Sequence, residues 1–427
     1  MFRLFYKKDY SLTESQQEKL NERIFSFIDS YQIVSSLPFV SRSFYQALKE
    51  SAYVNFRILV YKCSLKPDPL FSGTFPETYS RLSGGYSNCT YKFCMQARAY
   101  IARVPGRGTE SFIDRAAESY NVEQASKLGL NPEIKYTDRK GTQISVCLDQ
   151  PQSLTPELLK NNPHLLIAIA GQLKALHSSK KPFANDANIF KRNESFFELI
   201  KQHKLSLPVE YQSIKDLIQK IQAIFSKHNI KYRPCHNDTY FNNFLLSGNR
   251  VWIIDWEYSG NHDPIWDLAY FSKLSDLSEE QNQILLAAYF SDTKFKANHC
   301  LEYQRFIAYK LVIDDFVLLW AYVQIANKNN SVTPVMIMEW ANGALKSALA
   351  IMQDPKFKKA ISILENPRDY FTDTRWRQKS NGQIHEYLIH HNIFNNTNEK
   401  KESFLKSKDL SRKEYREFAA EMMLRPN

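Results

Sequence analysis

The chain has 427 residues, of which 43% are apolar and 14% aromatic, and this composition excludes a largely disordered protein. Its net charge is +11, but Lys and Arg alternate with Asp and Glu, which favours a solvated basic surface over nucleic-acid binding. The six cysteines form no C-x-x-C pair, and no apolar run reaches the ~20 residues of a membrane span. We therefore predict a cytoplasmic protein, in a reducing compartment and without a membrane span, that is long enough for two or three folded units.

Residues 1–60 are predicted to form a small helical unit, because Leu20, Ile24 and Phe27 recur at helical spacing. Through its segments IFSFID and VSRSFYQAL, the region 20–57 is similar to an F-box, the helical motif that docks on Skp1 of ubiquitin ligases. This resemblance implies a Skp1-type protein partner and a location in a host cytosol. The alternative is a helical cap on the domain that follows.

Residues 61–150 are predicted to form a small antiparallel sheet that carries one helix, because strand-like runs rich in Tyr, Val and Ile flank a helical pattern at 111–130. Residues 151–352 are predicted to be mainly helical, and residues 353–427 to form a polar helical extension. The fold class is therefore predicted as α+β.

The motif that carries chemistry is His236-x-Asp238-x-x-x-x-Asn243. It places a carboxylate and an amide at the two ends of one tight loop, as phosphoryl transfer requires, with Asp238 as catalytic base and Asn243 as a Mg²⁺ ligand. The apolar strand at 251–254 ends on Asp255, a second oxygen ligand for the metal. Each residue alone could be a turn former, but their joint spacing favours the functional interpretation. His236 is predicted to hold the loop.

The strand-rich segment upstream is predicted to supply the nucleotide site. Gly84 and Gly85, in LSGGYSNCTYKF, would let the backbone approach phosphates, with Asn88 of the same stretch as a third candidate. A plain hairpin turn uses the same residues. Arg103, near the end of a strand, would contact the α and β phosphates, as a strand lysine does in protein kinases.

The helix that follows this strand offers a carboxylate for Arg103. Glu118 is the first candidate and Glu123 the second. The competing interpretation is a surface pair between Arg115 and Glu118, which lie three residues apart on the helix.

Six stretches resemble, in order and spacing, the choline/ethanolamine kinase family, above all its LicA-type bacterial branch: LSGGYSNCTYKF, ARVPG, FIDRAAE, CHNDTYFNNFLL, IIDWEYSGNHDPIWDLAYF and LLWAYVQIA. The resemblance covers roughly residues 79–326. It implies a two-lobed, protein-kinase-like fold of the aminoglycoside-phosphotransferase type. It also implies an enzyme that uses ATP and Mg²⁺ to phosphorylate a small amino alcohol, choline or ethanolamine.

The predicted substrate residues combine aromatic faces with carboxylates, since a quaternary ammonium is held by cation–π contacts. Tyr258 follows the metal loop as the choline-binding tyrosine of the family does, and Trp320 is similar to its tryptophan helix, although Val317 stands where a second Trp is common. The resemblance also makes Asp267 the residue that braces the loop. The substrate candidates are Tyr258, Glu257, Trp266, Asp267 and Trp320. Ordinary core packing remains the alternative for these aromatic residues.

Two rival functions stay open at this stage. One is a kinase-like adaptor without turnover, recruited to a ubiquitin ligase through the F-box-like unit. The other keeps the chemistry and changes the acceptor to an aminoglycoside or a protein hydroxyl. The presence of Asp238, Asn243 and Asp255 together favours an enzyme.

Overall fold

The computed structural model describes residues 78–82, 88–95, 97–105, 113–290, 300–327 and 333–367. The F-box-like region, Gly84, Gly85 and the predicted extension beyond residue 367 lie outside the described residues. Contacts divide the chain into two compact units. In its described part, unit 1 holds the strands at 78–105 with Lys135–Asp138 and Thr142–Cys147, and unit 2 holds the remainder.

Unit 1 is built on a five-stranded sheet of order β1-β2-β3-β5-β4. Side chains alternate between its faces, and Phe93 and Tyr100, which are cross-strand partners, stack with ring centroids 5.4 Å apart. Ala102 and Ile144 complete the buried face. Aromatic and β-branched residues on one face explain why this segment forms a sheet. The strands are β1 Thr78–Leu82, β2 Asn88–Met95, β3 Arg98–Pro105, β4 Ile134–Thr137 and β5 Gln143–Val146.

Unit 2 is mainly helical. Its helices are α1 Arg115–Lys127, α2 Pro156–Asn161, α3 His164–His177, α4 Ile189–Gln202, α5 Tyr211–Ser226, α6 Pro264–Leu274, α7 Glu279–Phe290, α8 Leu301–Ala326, α9 Pro334–Gln353 and α10 Pro355–Glu365. Its short strands are β6 Gln152–Ser153, β7 Arg233–Cys235, β8 Phe244–Ser247, β9 Arg250–Ile253 and β10 Gly260–His262. They pair as β6-β8-β9 and as β10-β7, and the second pair is antiparallel. The antiparallel sheet of unit 1 and the helices of unit 2 confirm the predicted α+β class.

The long helix α8 runs through the core of unit 2. Most of its side chains are buried, and it packs against α4, α6, α9 and α10. A helix that is apolar on nearly every side must be covered on nearly every side, which explains why several helices surround it. Residues on α6 and α8 therefore line the same interior.

Two boundaries differ from those predicted. Helix α1 makes its contacts in unit 2, whereas the prediction placed it in the lobe 61–150. Helix α10, the first part of the predicted extension 353–427, buries Phe357, Ala360 and Leu364 in the main core. Because this segment is rich in charged residues, its overall polarity did not reveal the apolar stripe that the helix buries.

The cysteines of the described residues are free thiols. Among the helices of those residues, none has both the length and the apolar character needed to cross a membrane.

Candidate active site

The loop that follows β7 is held by His236, whose ring is fully buried. Its Nε2 donates to the Ile254 carbonyl at 2.9 Å, and its Nδ1 accepts from the Asp238 amide at 3.3 Å. These two bonds require the neutral tautomer with the proton on Nε2. The ring also meets Trp256 edge to face, with centroids 4.7 Å apart. His236 thereby links the loop to the end of β9, the structural role predicted for it.

Asp267, on α6, accepts several of the hydrogen bonds that hold this loop. Its Oδ1 accepts from the Asn237 amide at 2.8 Å, and its Oδ2 accepts from the His236 amide at 2.8 Å and from His177 Nε2 at 3.0 Å. Its backbone carbonyl accepts from the Thr239 hydroxyl. Burial alone would raise the pKa of Asp267, but the hydrogen bond from His177 and the other donors hold this pKa below its usual range.

Asp267→Asn is expected to destabilise unit 2 by about 1–3 kcal/mol, because an amide keeps one acceptor oxygen and leaves a buried donor without a partner. The measurement is urea unfolding from pH 2 to pH 8. Since the folded pKa is depressed, the carboxylate stabilises the protein above its unfolded pKa and loses this effect as the pH falls through the folded value. The gap between wild type and variant should narrow below about pH 4. Asp216→Asn, on an exposed face of α5, is the matched control. Equal stability of the two variants would contradict the role of Asp267 in holding the loop.

The backbone of Asn237 is left-handed, with φ of 63°. Its Nδ2 donates to the carbonyls of Tyr258 and Gly260, and its own carbonyl accepts from Trp266 Nε1 at 3.3 Å. Trp266 is only 1% exposed. Trp266 and Asp267, two of the predicted substrate residues, are thus enclosed in packing and hold the loop, and their contact with the substrate stays a prediction.

Asp238 and Asn243 face each other across the loop. Asn243 Nδ2 donates to the Asp238 carboxylate at 3.0 Å and to its carbonyl at 2.9 Å, and the Tyr270 hydroxyl donates to the same carboxylate. Burial raises the pKa of Asp238, and the nearby charge of Asp255 adds to this, whereas the hydrogen bonds from Tyr270 and Asn243 act in the opposite direction. The result is a half-buried carboxylate with two hydrogen-bond donors.

Asp255 lies at the end of the β8–β9 hairpin, beside Asn243. The Ile254 amide donates to the Asn243 carbonyl at 2.9 Å, so the two candidate ligands occupy neighbouring hairpin ends. Asp255 has a φ of 67°, a left-handed backbone that Asp and Asn tolerate better than most residues. Because Asn243 Nδ2 is committed to Asp238, its Oδ1 is the atom that remains for a metal. One amide and one carboxylate oxygen suit Mg²⁺, which keeps several waters.

Tyr258 and Glu257 follow this hairpin, and both are buried. The guanidinium of Arg192 lies over the Tyr258 ring, with Cζ 4.7 Å from the ring centroid. The Glu257 carboxylate Oε2 lies 3.6 Å from the guanidinium Nη1 of Arg115, and the same Nη1 lies 2.7 Å from Oε2 of Glu118. The Arg115–Glu118 alternative is thus present, as a buried pair where a surface pair was expected. Nothing in the sequence pattern signalled Arg192, which stands in a polar helical stretch.

Trp320 is half-buried on α8, and its ring lies 5.8 Å from that of Trp340 on α9. Phe316, one helical turn before it, is 6.0 Å from Tyr270, the residue that hydrogen-bonds Asp238. Residues four apart share a helix face, so Trp320 lies on the face of α8 that meets Tyr270. Sequence reasoning missed Trp340, because an aromatic residue on a separate helix gives no local signal.

The predicted nucleotide residues lie partly in unit 1. Asn88 begins β2, and Arg103 lies on β3 between Thr90 of β2 and Gln143 of β5. Their contacts with ATP, and the pairing of Arg103 with Glu118, stay predictions.

Comparison with known proteins supports the resemblance. The sequence model for choline/ethanolamine kinase matches residues 79–307. Protein LicA of Haemophilus influenzae is 27% identical over 272 residues, which cover 62% of this chain and 78% of that protein. The F-box-like region lies outside the family match.

Solved structures agree. A choline/ethanolamine kinase family protein from Mesorhizobium loti superposes with a TM-score of 0.61 at 26% identity, covering 71% of this chain and 97% of that one. Choline kinase LicA from Streptococcus pneumoniae has a TM-score of 0.56 at 22% identity, covering 69% and 99%, which is a likeness of fold. These confirm the predicted kinase-like fold. Because the family match spans more than half of its length, the chain belongs to the choline/ethanolamine kinase family and is a kinase-like phosphotransferase.

Proposed function

We propose that this protein transfers the γ-phosphate of ATP to the hydroxyl of choline or ethanolamine, with Mg²⁺ as cofactor. The observation that carries the proposal is Asp238, a half-buried carboxylate that accepts from Asn243 and Tyr270 and lies near Asp255. Relatives named for both substrates support the acceptor class. Probable choline kinase 2 of Arabidopsis thaliana is 26% identical over 182 residues, and mouse ethanolamine kinase 2 is 24% identical over 252 residues.

In this proposal Asp238 accepts the proton of the acceptor hydroxyl as the oxygen attacks the γ-phosphate. The donors Asn243 and Tyr270 hold the carboxylate in one orientation, and His236 and Asp267 hold the backbone beneath it. Asn243 and Asp255 would hold Mg²⁺, which when bound neutralises charge on the transferred phosphoryl group.

The nucleotide half of the proposal rests on unit 1. The backbone around Gly84 and Gly85, with Asn88 and Arg103, would bind the triphosphate. A LicA structure of the same fold, with a TM-score of 0.54, was solved in complex with AMP. We also propose a cytoplasmic location, in keeping with the free thiols of the described cysteines.

For the acceptor pocket, aromatic faces are the better-supported ligands. Glu257 is buried against Arg115, so its charge is already compensated within the protein. Tyr258 and Trp320 remain the candidates for cation–π contact with the ammonium group, and a pocket of this kind favours choline.

An ATP-consumption assay with choline, ethanolamine, an aminoglycoside and a protein acceptor tests the function. We expect turnover with choline or ethanolamine, and turnover restricted to the other acceptors would overturn the proposal.

Trp320→Ala is expected to raise the KM for choline by about 2- to 30-fold, the range of one cation–π contact, without raising the KM for ATP. Tyr232→Ala, which removes a ring that is 43% exposed, is the control. An unchanged KM for choline in Trp320→Ala would remove Trp320 from the pocket.

A further inference from the structure

Arg192 brings a fixed positive charge to the candidate active site. Its guanidinium carbon lies 4.7 Å from the centroid of the Tyr258 ring. The negative charges that act on it include Asp238 and Glu257, and the Tyr270 phenol is also close enough to influence it. Arg192 therefore lies against Tyr258, within electrostatic reach of the proposed catalytic base.

The helix that carries Arg192 is firmly anchored. Asn193, the next residue on α4, donates to Asp315 of α8 at 2.6 Å, and Ile189 and Phe196 are buried in the core. The Asn188 side chain caps the N-terminus of the helix. These contacts set the direction of the Arg192 side chain, so its place over Tyr258 follows from the packing of α4.

We propose that Arg192 is a specificity-determining residue: its guanidinium is a tethered cation that occupies the position over the Tyr258 ring and competes with the ammonium group of the acceptor. One face of one ring holds one cation, since two positive charges at that distance repel each other. The inference rests on the proposed function, because it takes the acceptor to be a cation.

Displacement of Arg192 is physically feasible. Its contact with Tyr258 is not accompanied by a salt bridge to any of the described residues. Burial lowers the pKa of the guanidinium, which shows that its charged form would be better solvated outside this position. To bind over Tyr258, an acceptor must therefore displace the half-buried Arg192 side chain towards solvent. This displacement breaks no ion pair with the described residues.

The opposite role, in which Arg192 binds an anionic group of the acceptor, fits less well. Asp238 and Glu257 both act on the same volume and would repel such a group. The site favours cations in general, and Arg192 is the cation that the chain itself supplies.

The test compares Arg192→Met, which keeps length and removes charge, with Arg192→Lys and with wild type. The control is Lys215→Met. It removes a cation of α5 that lies 3.3 Å from the ring centroid of Phe197, a residue of α4 outside the site. Two readouts are measured: the KM values for choline, ethanolamine and ATP, and the Kd for tetramethylammonium by calorimetry without nucleotide.

We expect Arg192→Met to lower both the KM for choline and the Kd for tetramethylammonium by about 2- to 30-fold, with the KM for ATP unchanged. Arg192→Lys should lie between this variant and wild type, and Lys215→Met should match wild type. Weaker binding in Arg192→Met would show that Arg192 is a ligand or a support of the pocket, and equal binding would show that it does not compete. Either result overturns the inference. Absence of turnover in every protein contradicts the proposed function instead, and calorimetry still decides the role of Arg192.

Discussion

Asp238→Asn is expected to lower the rate of phosphotransfer by about 10²- to 10⁴-fold, the usual effect of losing a general base. The amide has nearly the same shape, but it cannot accept the proton of the acceptor hydroxyl. It also keeps only one acceptor oxygen for Asn243 and Tyr270. Binding of Mg·ATP should stay nearly unchanged, because this residue is proposed to contact the acceptor. Single-turnover kinetics and thermal stabilisation by Mg·ATP measure the two effects separately.

Loss of rate through misfolding is excluded by comparing the melting temperature of Asp238→Asn with that of wild type. Equal melting with lost turnover supports the role of a base. Turnover within about tenfold of wild type would remove Asp238 from that role, since a base contributes more than this.

Asp255→Asn is expected to weaken Mg²⁺-dependent binding of ATP by at least about tenfold and to lower the rate as well, because it removes the charged metal ligand. Asn is the suitable replacement at this position. The backbone there has a φ of 67°, which Asn tolerates and which would strain Ala. The measurement is a Mg²⁺ titration of the thermal stabilisation produced by a fixed concentration of ATP.

The contrast between the two variants is itself informative. Asp238→Asn should preserve the Mg²⁺ titration, and Asp255→Asn should shift it to higher metal concentration. If Asp255→Asn titrates like wild type, Asp255 does not bind the metal, and Asn243 alone would be left as a candidate ligand.

The candidate active site was partly predictable from sequence because its chemistry is local. Asp238, Asn243 and Asp255 lie within one loop and one hairpin, so their spacing along the chain constrains their spacing in space. The contacts that complete the site are not local. Asp267 and His177 are 90 residues apart, and the Arg115–Glu257 pair joins α1 to the segment after β9. No pattern of a single segment reports such pairs.

At Trp266 and Asp267 the sequence could not distinguish a substrate contact from core packing, for a specific reason. Every side chain from Ile265 to Ser272 is buried, so α6 shows no polar stripe that would tell an inward face from an outward one. Aromatic and acidic residues on such a helix look alike whether they bind a ligand or fill the core. Burial and hydrogen bonds on the folded chain were needed to separate these roles.

The position of Asp267 also bears on the order in which the protein gains activity. A nascent chain that ends before α6 already contains Asp238, Asn243 and Asp255, but it lacks the carboxylate to which the amides of His236 and Asn237 donate. Chain synthesis runs from the N-terminus, and contacts of long sequence separation form late because their loops must close first. On the ribosome, the catalytic loop would therefore stay unformed until α6 has emerged and packed against α3. Incomplete chains would carry the residues of a kinase without its activity.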